Sequence, residues 1–408
     1  MFSFICFIAL ALIGVPLGFR SWQARRRWDG ANAMGGTIAS RKTLLILLTI
    51  NGAIFLYLLR ADVQNEIDFK AFYSGGGIAR QTRDHIYDLH YQLRWYQSEF
   101  NTVKFGPFFH PPHELLLFLP LSKLPYPAAL IVWRILSLAC LLLSGVLLAR
   151  VIGGNILDTV LLVAAIYTVP MCLAMGQDSL LLLLFVCTCF YMLRKDWDIA
   201  SAIVLALALF KPQLPMVLAV AALAAGKRRF FAWFAVFGSV LAAGSMIYVG
   251  WTGVSQMIQA LQIGVTGSFG VATMPNVRGL VAFAFRDSRW FALAMLTGSI
   301  LAMIPVWRRA RSLEFAIASA TCLASAMAFY IYPYDLVVLA VPLVLTSRHP
   351  RQRDVAVAAL VTSGPLWVFA YLVGAPCLML FPTLALGWTT FKLKSVTVRE
   401  TAYAQASA

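Results

Sequence analysis

The run Asn65-Glu66-Ile67-Asp68-Phe69-Lys70-Ala71-Phe72-Tyr73 sets carboxylates beside an ammonium and several aromatic rings, directly after an apolar segment. A carboxylate in such a place can take a proton from a hydroxyl within hydrogen-bond reach. Asp68 is the candidate base. Its competing reading is an N-cap for a helix starting at Phe69, because Asp is a preferred capping residue. Lys70 and Tyr73 follow closely, Tyr73 as a substrate contact or as part of an interfacial aromatic belt. Gly75-Gly76-Gly77 permits close backbone approach or ends a helix, and no phosphate-loop spacing follows it.

Further polar residues interrupt the apolar sequence. Lys211 and Arg278 are candidate ligands for an anion, since charges drawn toward a membrane need partners. Snorkelling of Lys211 and a plain loop charge at Arg278 are the alternatives. Gln177 and Asp178 stand at the tip of one apolar segment and read as a substrate contact or a solvated turn. Gln213 and Asn276 flank the two basic residues. Tyr334 and Asp335 open a short apolar helix, so Asp335 reads as a contact or as a cap. His110 and His113 are spaced for one helix face with Glu114 adjacent, and His85 and His90 form a second pair. Pro111 and Pro112 put His110 outside the helix that starts near His113, which argues against a metal site. Neither G-x-S-x-G nor H-E-x-x-H occurs, and no cofactor or metal is expected.

The elements that must position these groups are membrane helices. The chain of 408 residues is 61% hydrophobic and 12% charged, too little charge to cover a soluble domain. The net charge of +16 lies in short clusters between apolar segments, the pattern of topology signals rather than of a nucleic-acid surface. The seven cysteines fall within or at the ends of apolar segments without a CxxC pair, and read as packing residues. The apolar run Phe2 to Phe19 precedes its arginines, unlike a cleavable signal, and reads as a retained helix with its N-terminus outside. The fold expected is an all-α polytopic membrane protein of about 13 transmembrane or short hairpin helices, one integral domain over residues 1–408. The loop 60–120 and the stretch 251–290 lie on its outer side. Residues 199–225 form a short helical hairpin with Lys211-Pro212-Gln213 at the tip, because each arm is too short to span and basic clusters flank the pair.

Read in order, Asp68…Tyr73…Gly76, Tyr87-Asp88, Pro111-Pro112, Gly176-Gln177…Leu181-Leu182, Lys211-Pro212-Gln213, Asn276-Val277-Arg278-Gly279 and Tyr334-Asp335-Leu336 resemble glycosyltransferase family 87. These are the polyprenyl-phosphate-mannose-dependent transferases of the GT-C superfamily. The sequence departs from that pattern at His110, where relatives usually carry an aromatic, and at Tyr330 and Tyr332, where a histidine is common. The resemblance implies a GT-C-like fold in the cytoplasmic (inner) membrane with its active site facing outward. It implies inverting transfer of a sugar, mannose above all, from a polyprenyl-phosphate carrier to a glycolipid or polyprenyl-linked glycan. Asp68 stands where such enzymes carry their base, which favours base over cap.

The leaving lipid phosphate calls for positive charge or hydrogen-bond donors, the role expected of Lys211 and Arg278. Lys70, Tyr73, His110, His113, Gln177, Asp178, Gln213, Asn276, Tyr334 and Asp335 complete the expected substrate contacts. Membrane lipids are the other expected partners, and nucleic acid is not. A transporter or flippase for a lipid-linked glycan is the competing function. It should carry charge at the membrane midplane, whereas here the acids, histidines and aromatics gather on one side.

Overall fold

The computed structural model describes residues 41–60, 68–102, 105–266, 271–284, 289–347 and 350–391. The apolar run Phe2–Phe19, Cys6, Asp62, Asn65, Glu66, Ile67 and the basic tail with Lys392, Lys394 and Arg399 lie outside these residues. The described chain is helical throughout. Its α-helices are α1 (Arg41–Arg60), α2 (Phe69–Gln81), α3 (Leu89–Phe100), α4 (Leu115–Leu121), α5 (Tyr126–Ile152), α6 (Ile156–Ala164), α7 (Thr168–Met175), α8 (Ser179–Leu193), α9 (Asp198–Leu207), α10 (Gln213–Ala224), α11 (Arg228–Thr266), α12 (Val277–Ala284), α13 (Arg289–Ala310), α14 (Leu313–Met327), α15 (Ala340–Ser347), α16 (Pro350–Leu372) and α17 (380–391).

Among the described residues, five helices are long and apolar enough to cross a bilayer, or six if the bent pair α6–α7 counts as one span. Six further apolar helices have 10–17 residues. Full-length spans and shorter apolar helices thus both build the described bundle, about 20 residues being needed to cross. Helix α5 shows how a lipid-facing element is built. Its inward side carries Ser137, Ser144 and Gly145, while Ile131, Ile135 and Leu143 face outward. A Cβ on Gly145 would stand 2.8 Å from Val160 of α6. Small residues inside and large apolar ones outside are what lipid, itself apolar, allows.

Lys211 interrupts the chain between α9 and α10 because Pro212 follows it. Pro disfavours the helical region for the preceding residue, and Lys211 takes φ −122°, ψ 78°. The two arms pack mainly on other helices, α9 on α8 and α11, α10 on α14 and α11. Most of the stretch 251–266 continues α11 as helix after a break at Gly250, whose φ of 67° only glycine adopts without strain.

The loop after α1 folds on an aromatic core. Phe69, Phe72, Phe108, Phe118 and Trp133 are almost fully buried there. Phe72 stacks on Phe118 with centroids 4.8 Å apart, and Phe69 stacks on Trp133 at 6.1 Å. Gln92 clips the returning strand of loop: its amide nitrogen donates to the carbonyls of Ile86 (2.7 Å) and Phe108 (3.2 Å), and its oxygen accepts from Phe108 N at 2.8 Å. On α2, a Cβ at Gly75 would meet the Phe108 ring, at Gly76 the Phe118 carbonyl, and at Gly77 the Trp95 ring. The glycine triplet is thus a face for close approach, not a helix end.

Candidate functional site

Two adjacent residue pairs build the centre of the site. Gly176 ends α7 in the left-handed conformation, φ 66°. A Cβ there would lie 2.6 Å from Cβ of Phe69. The Gly176 carbonyl accepts from Trp133 Nε1 at 2.8 Å, which fixes the turn. With Gly176 against Phe69, their neighbours meet: the Gln177 amide donates to the Asp68 carboxylate. Asp68 occupies the N-cap position of α2, yet its side chain makes no capping bond. The cap reading is therefore not what the carboxylate does.

From Gln177 the chain continues into a buried polar cluster. Asp178 pairs with Lys211 Nζ at 2.5 Å, and Lys211 pairs with Asp335 at 2.6 Å. Lys211 also donates to Ser179 Oγ at 2.9 Å, and Ser179 donates to Asp335 at 2.6 Å. An ammonium has three N–H groups, and Asp178, Asp335 and Ser179 take them. Asp335 additionally accepts from the backbone N–H of Tyr332 at 3.0 Å, so it both caps the turn Pro333–Leu339 and binds Lys211.

His110 enters from the loop side. The hydroxyl of Tyr87 donates to its carbonyl at 2.6 Å, and Phe72 meets its ring edge-on at 5.0 Å. Pro111 itself is extended, φ −58°, ψ 147°, and a single 3-10 turn, Pro112–Glu114, follows. That turn brings Glu114 to 2.6 Å from His110 Nδ1, with Asp178 at 3.4 Å from the same nitrogen. Glu114 and Ser179 are the members of this cluster not expected from the sequence. Glu114 reads as one more loop acid, although it directly precedes the apolar run Leu115–Leu119 that buries it. His113 points away and lies against the backbone of Leu207.

A second set of expected residues serves the backbone. Helix α14 stops at Ala328, leaving carbonyls without helical partners. Asn276 Nδ2 donates to the Ala328 carbonyl at 2.6 Å, Arg278 to that of Phe329 at 2.6 Å, and Gln213 to that of Tyr330 at 2.9 Å. Arg278 also stacks over the Phe329 ring at 4.0 Å. Non-helical backbone inside a membrane bundle must be satisfied by protein groups, and these three side chains do so. The segment they hold carries Tyr330, Tyr332 and Tyr334, all within electrostatic reach of Asp68.

Lys70 and Tyr73 fall outside the cluster. Lys70 Nζ sits over the Phe100 ring at 5.2 Å, and the Tyr73 hydroxyl donates to the Leu124 carbonyl at 2.8 Å. His85 pairs with Asp88 at 3.2 Å and stacks on Tyr91.

Electrostatics separate Asp68 from its neighbours. Burial pushes its carboxyl up from 3.8 to about 6, against the opposing hydrogen bond from Gln177 and the charge of Lys211. Burial also raises Glu114. Burial opposes the charge of His110, but the adjacent Glu114 carboxylate outweighs it and raises the imidazole. A carboxylate poised near neutrality, partly exposed beside a row of tyrosines, has the properties of a general base.

No curated protein matches the chain closely enough to count as a relative. The family model for glycosyltransferase family 87 matches residues 108–333, more than half of the chain, a span that contains the polar cluster apart from Asp68 and Asp335. An all-helical membrane architecture and this match together make the chain a member of glycosyltransferase family 87, and so a glycosyltransferase.

Proposed function

We propose that the protein transfers a sugar, mannose above all, from a polyprenyl-phosphate carrier to a glycolipid or glycan hydroxyl at the outer face of the cytoplasmic membrane, with inversion. One observation carries the reading: Asp68 is held by Gln177 rather than by its own helix, and its carboxyl is tuned upward by burial.

In the reaction the acceptor hydroxyl gives its proton to Asp68 as its oxygen attacks the anomeric carbon. The bond from that carbon to the phosphate oxygen breaks, and the electron pair leaves with the lipid phosphate. Direct displacement by one nucleophile gives inversion. Gln177 orients the base. Lys211 fixes Asp178 and Asp335 and places positive charge behind them. Tyr330, Tyr332 and Tyr334 offer ring faces and hydroxyls to a sugar, which stacks its apolar side on aromatic rings.

The test is transfer from polyprenyl-phosphate-mannose in membranes carrying the wild type or Asp68→Asn. Loss of a general base lowers turnover about 10²–10⁴-fold. Full activity of a folded Asp68→Asn protein would remove Asp68 from the mechanism. A wild type that moves lipid-linked glycan across vesicles and transfers no sugar would establish a flippase instead.

A further inference from the structure

Around Asp68 the charges do not balance. The carboxylates of Asp68, Glu114, Asp178 and Asp335 meet the ammonium of Lys211 and the imidazole of His110. Lys211 has its N–H groups engaged by Asp178, Asp335 and Ser179. Arg278 is turned to the Phe329 carbonyl and ring. A site of this sign repels a phosphate donor unless further positive charge enters.

The geometry shows where it would enter. One ligand atom from each of His110, Glu114 and Asp178 lies within 4.8 Å of the others. The Glu114 side chain is fully buried; Oε2 faces His110 Nδ1 at 2.6 Å, and Oε1 has no hydrogen-bond partner. The Asp178 side chain is equally buried, with Lys211 at 2.5 Å from Oδ1 and His110 at 3.4 Å from Oδ2. Buried carboxylate oxygens without donors are costly, and a cation between the three groups removes that cost.

We propose that His110, Glu114 and Asp178 form a divalent-cation site of the Zn²⁺ or Mn²⁺ class, which supplies the positive charge beside Asp68 that the donor phosphate needs. One imidazole and two carboxylates suit a metal of borderline softness better than a purely oxygen-seeking ion. Three protein ligands leave a position open for an exogenous oxygen, as in catalytic rather than structural sites. Lys211 on the far oxygen of Asp178 is the outer partner that orients a ligating carboxylate. Pro111 and Pro112, which break the helical spacing of His110 and His113, create the site by folding Glu114 back under His110. The binding claim rests on geometry alone, and only the role beside phosphate rests on the proposed transfer reaction.

Full-length protein in nanodiscs, stripped with chelator and dialysed, is titrated with ZnCl₂ and with MnCl₂ by calorimetry, and bound metal is counted by mass spectrometry. About one ion per chain is expected, with affinity at least 10-fold weaker in Glu114→Gln and in His110→Ala. Glu99→Gln, on the exposed side of α3, should bind like the wild type. If the variants fail to fold, Mn²⁺ electron-spin-echo spectra of the wild type decide the matter, because ligation by His110 gives a ¹⁴N coupling. No stoichiometric ion, unchanged affinity in both folded variants, or a bound Mn²⁺ without nitrogen coupling overturns the site. Binding is measured without substrate, so a failure of sugar transfer leaves this result untouched.

Discussion

Among the buried polar regions of the described residues, two are built on opposite principles. Around the break after Ala328, Asn276, Arg278 and Gln213 each donate to a backbone carbonyl. Donor and acceptor match one to one, and the outcome is a fixed length of non-helical chain. Around Lys211 the contacts run between side chains, and acids outnumber bases. That region has protonation and charge left to exchange. The comparison teaches that burial of a polar residue does not by itself mark reactivity. What marks it is whether its partner is backbone, which cannot titrate, or another ionisable group, which can.

The largest effect should come from Asp68→Asn, whose expected loss of about 10²–10⁴-fold in transfer should leave thermal stability nearly unchanged, measured in detergent. If Asn276→Ala lowers transfer as much at unchanged stability, the division between the regions fails. Next in size is Lys211→Met. It leaves Asp178 and Asp335 buried without their cation, at about 3–5 kcal/mol, and thermal unfolding of the purified protein should show that directly. Arg278→Ala and Asn276→Ala should each cost about 1–3 kcal/mol, the penalty for a buried carbonyl left unpaired. Calorimetric scans of these variants should move while the shape of the pH–rate curve stays put.

The smallest effect is the most discriminating. As the proposed base Asp68 works only when ionised, and burial holds its carboxyl at about 6. The kcat/KM profile should therefore fall as pH drops through about 6. Gln177 favours the ionised form through its hydrogen bond, so Gln177→Ala should move this acid limb to higher pH. A limb that stays in place would show that another group sets it.

Much of this site was legible in the sequence. Asp68, Gln177, Asp178, Lys211 and Asp335 stand out because an ionisable or amide group among apolar residues needs a partner, and the structure gives them one another. Helical geometry could have excluded Lys70 and Tyr73. At about 100° per residue they leave α2 on a side away from Asp68, and they join the aromatic core instead. Asn276, Gln213 and Arg278 were visible as polar residues, but their targets are carbonyls exposed by the end of α14, and no residue type announces where a helix leaves its carbonyls bare. Glu114 was hidden because its burial follows from the fold of the loop. Hydropathy registers apolar character and not length, so full spans and the shorter apolar helices of 10–17 residues look alike in the sequence.

The glycine face of α2 carries one more consequence. Phe108, the Phe118 carbonyl and Trp95 press on Gly75, Gly76 and Gly77 where any larger residue would collide, so the helix can seat in only one phase. Asp68 lies two turns upstream on the same rigid rod, and its bearing toward Gln177 is set by the number of residues between it and those glycines. One residue inserted there would swing the carboxylate by about 100°, out of reach of its partner. Natural variants of this loop should therefore change length freely before Asp68 or beyond Gln81, and keep the interval from Asp68 to Gly77 constant. An insertion scan read by sugar transfer would map that interval as a sharp, silent gap between tolerant flanks.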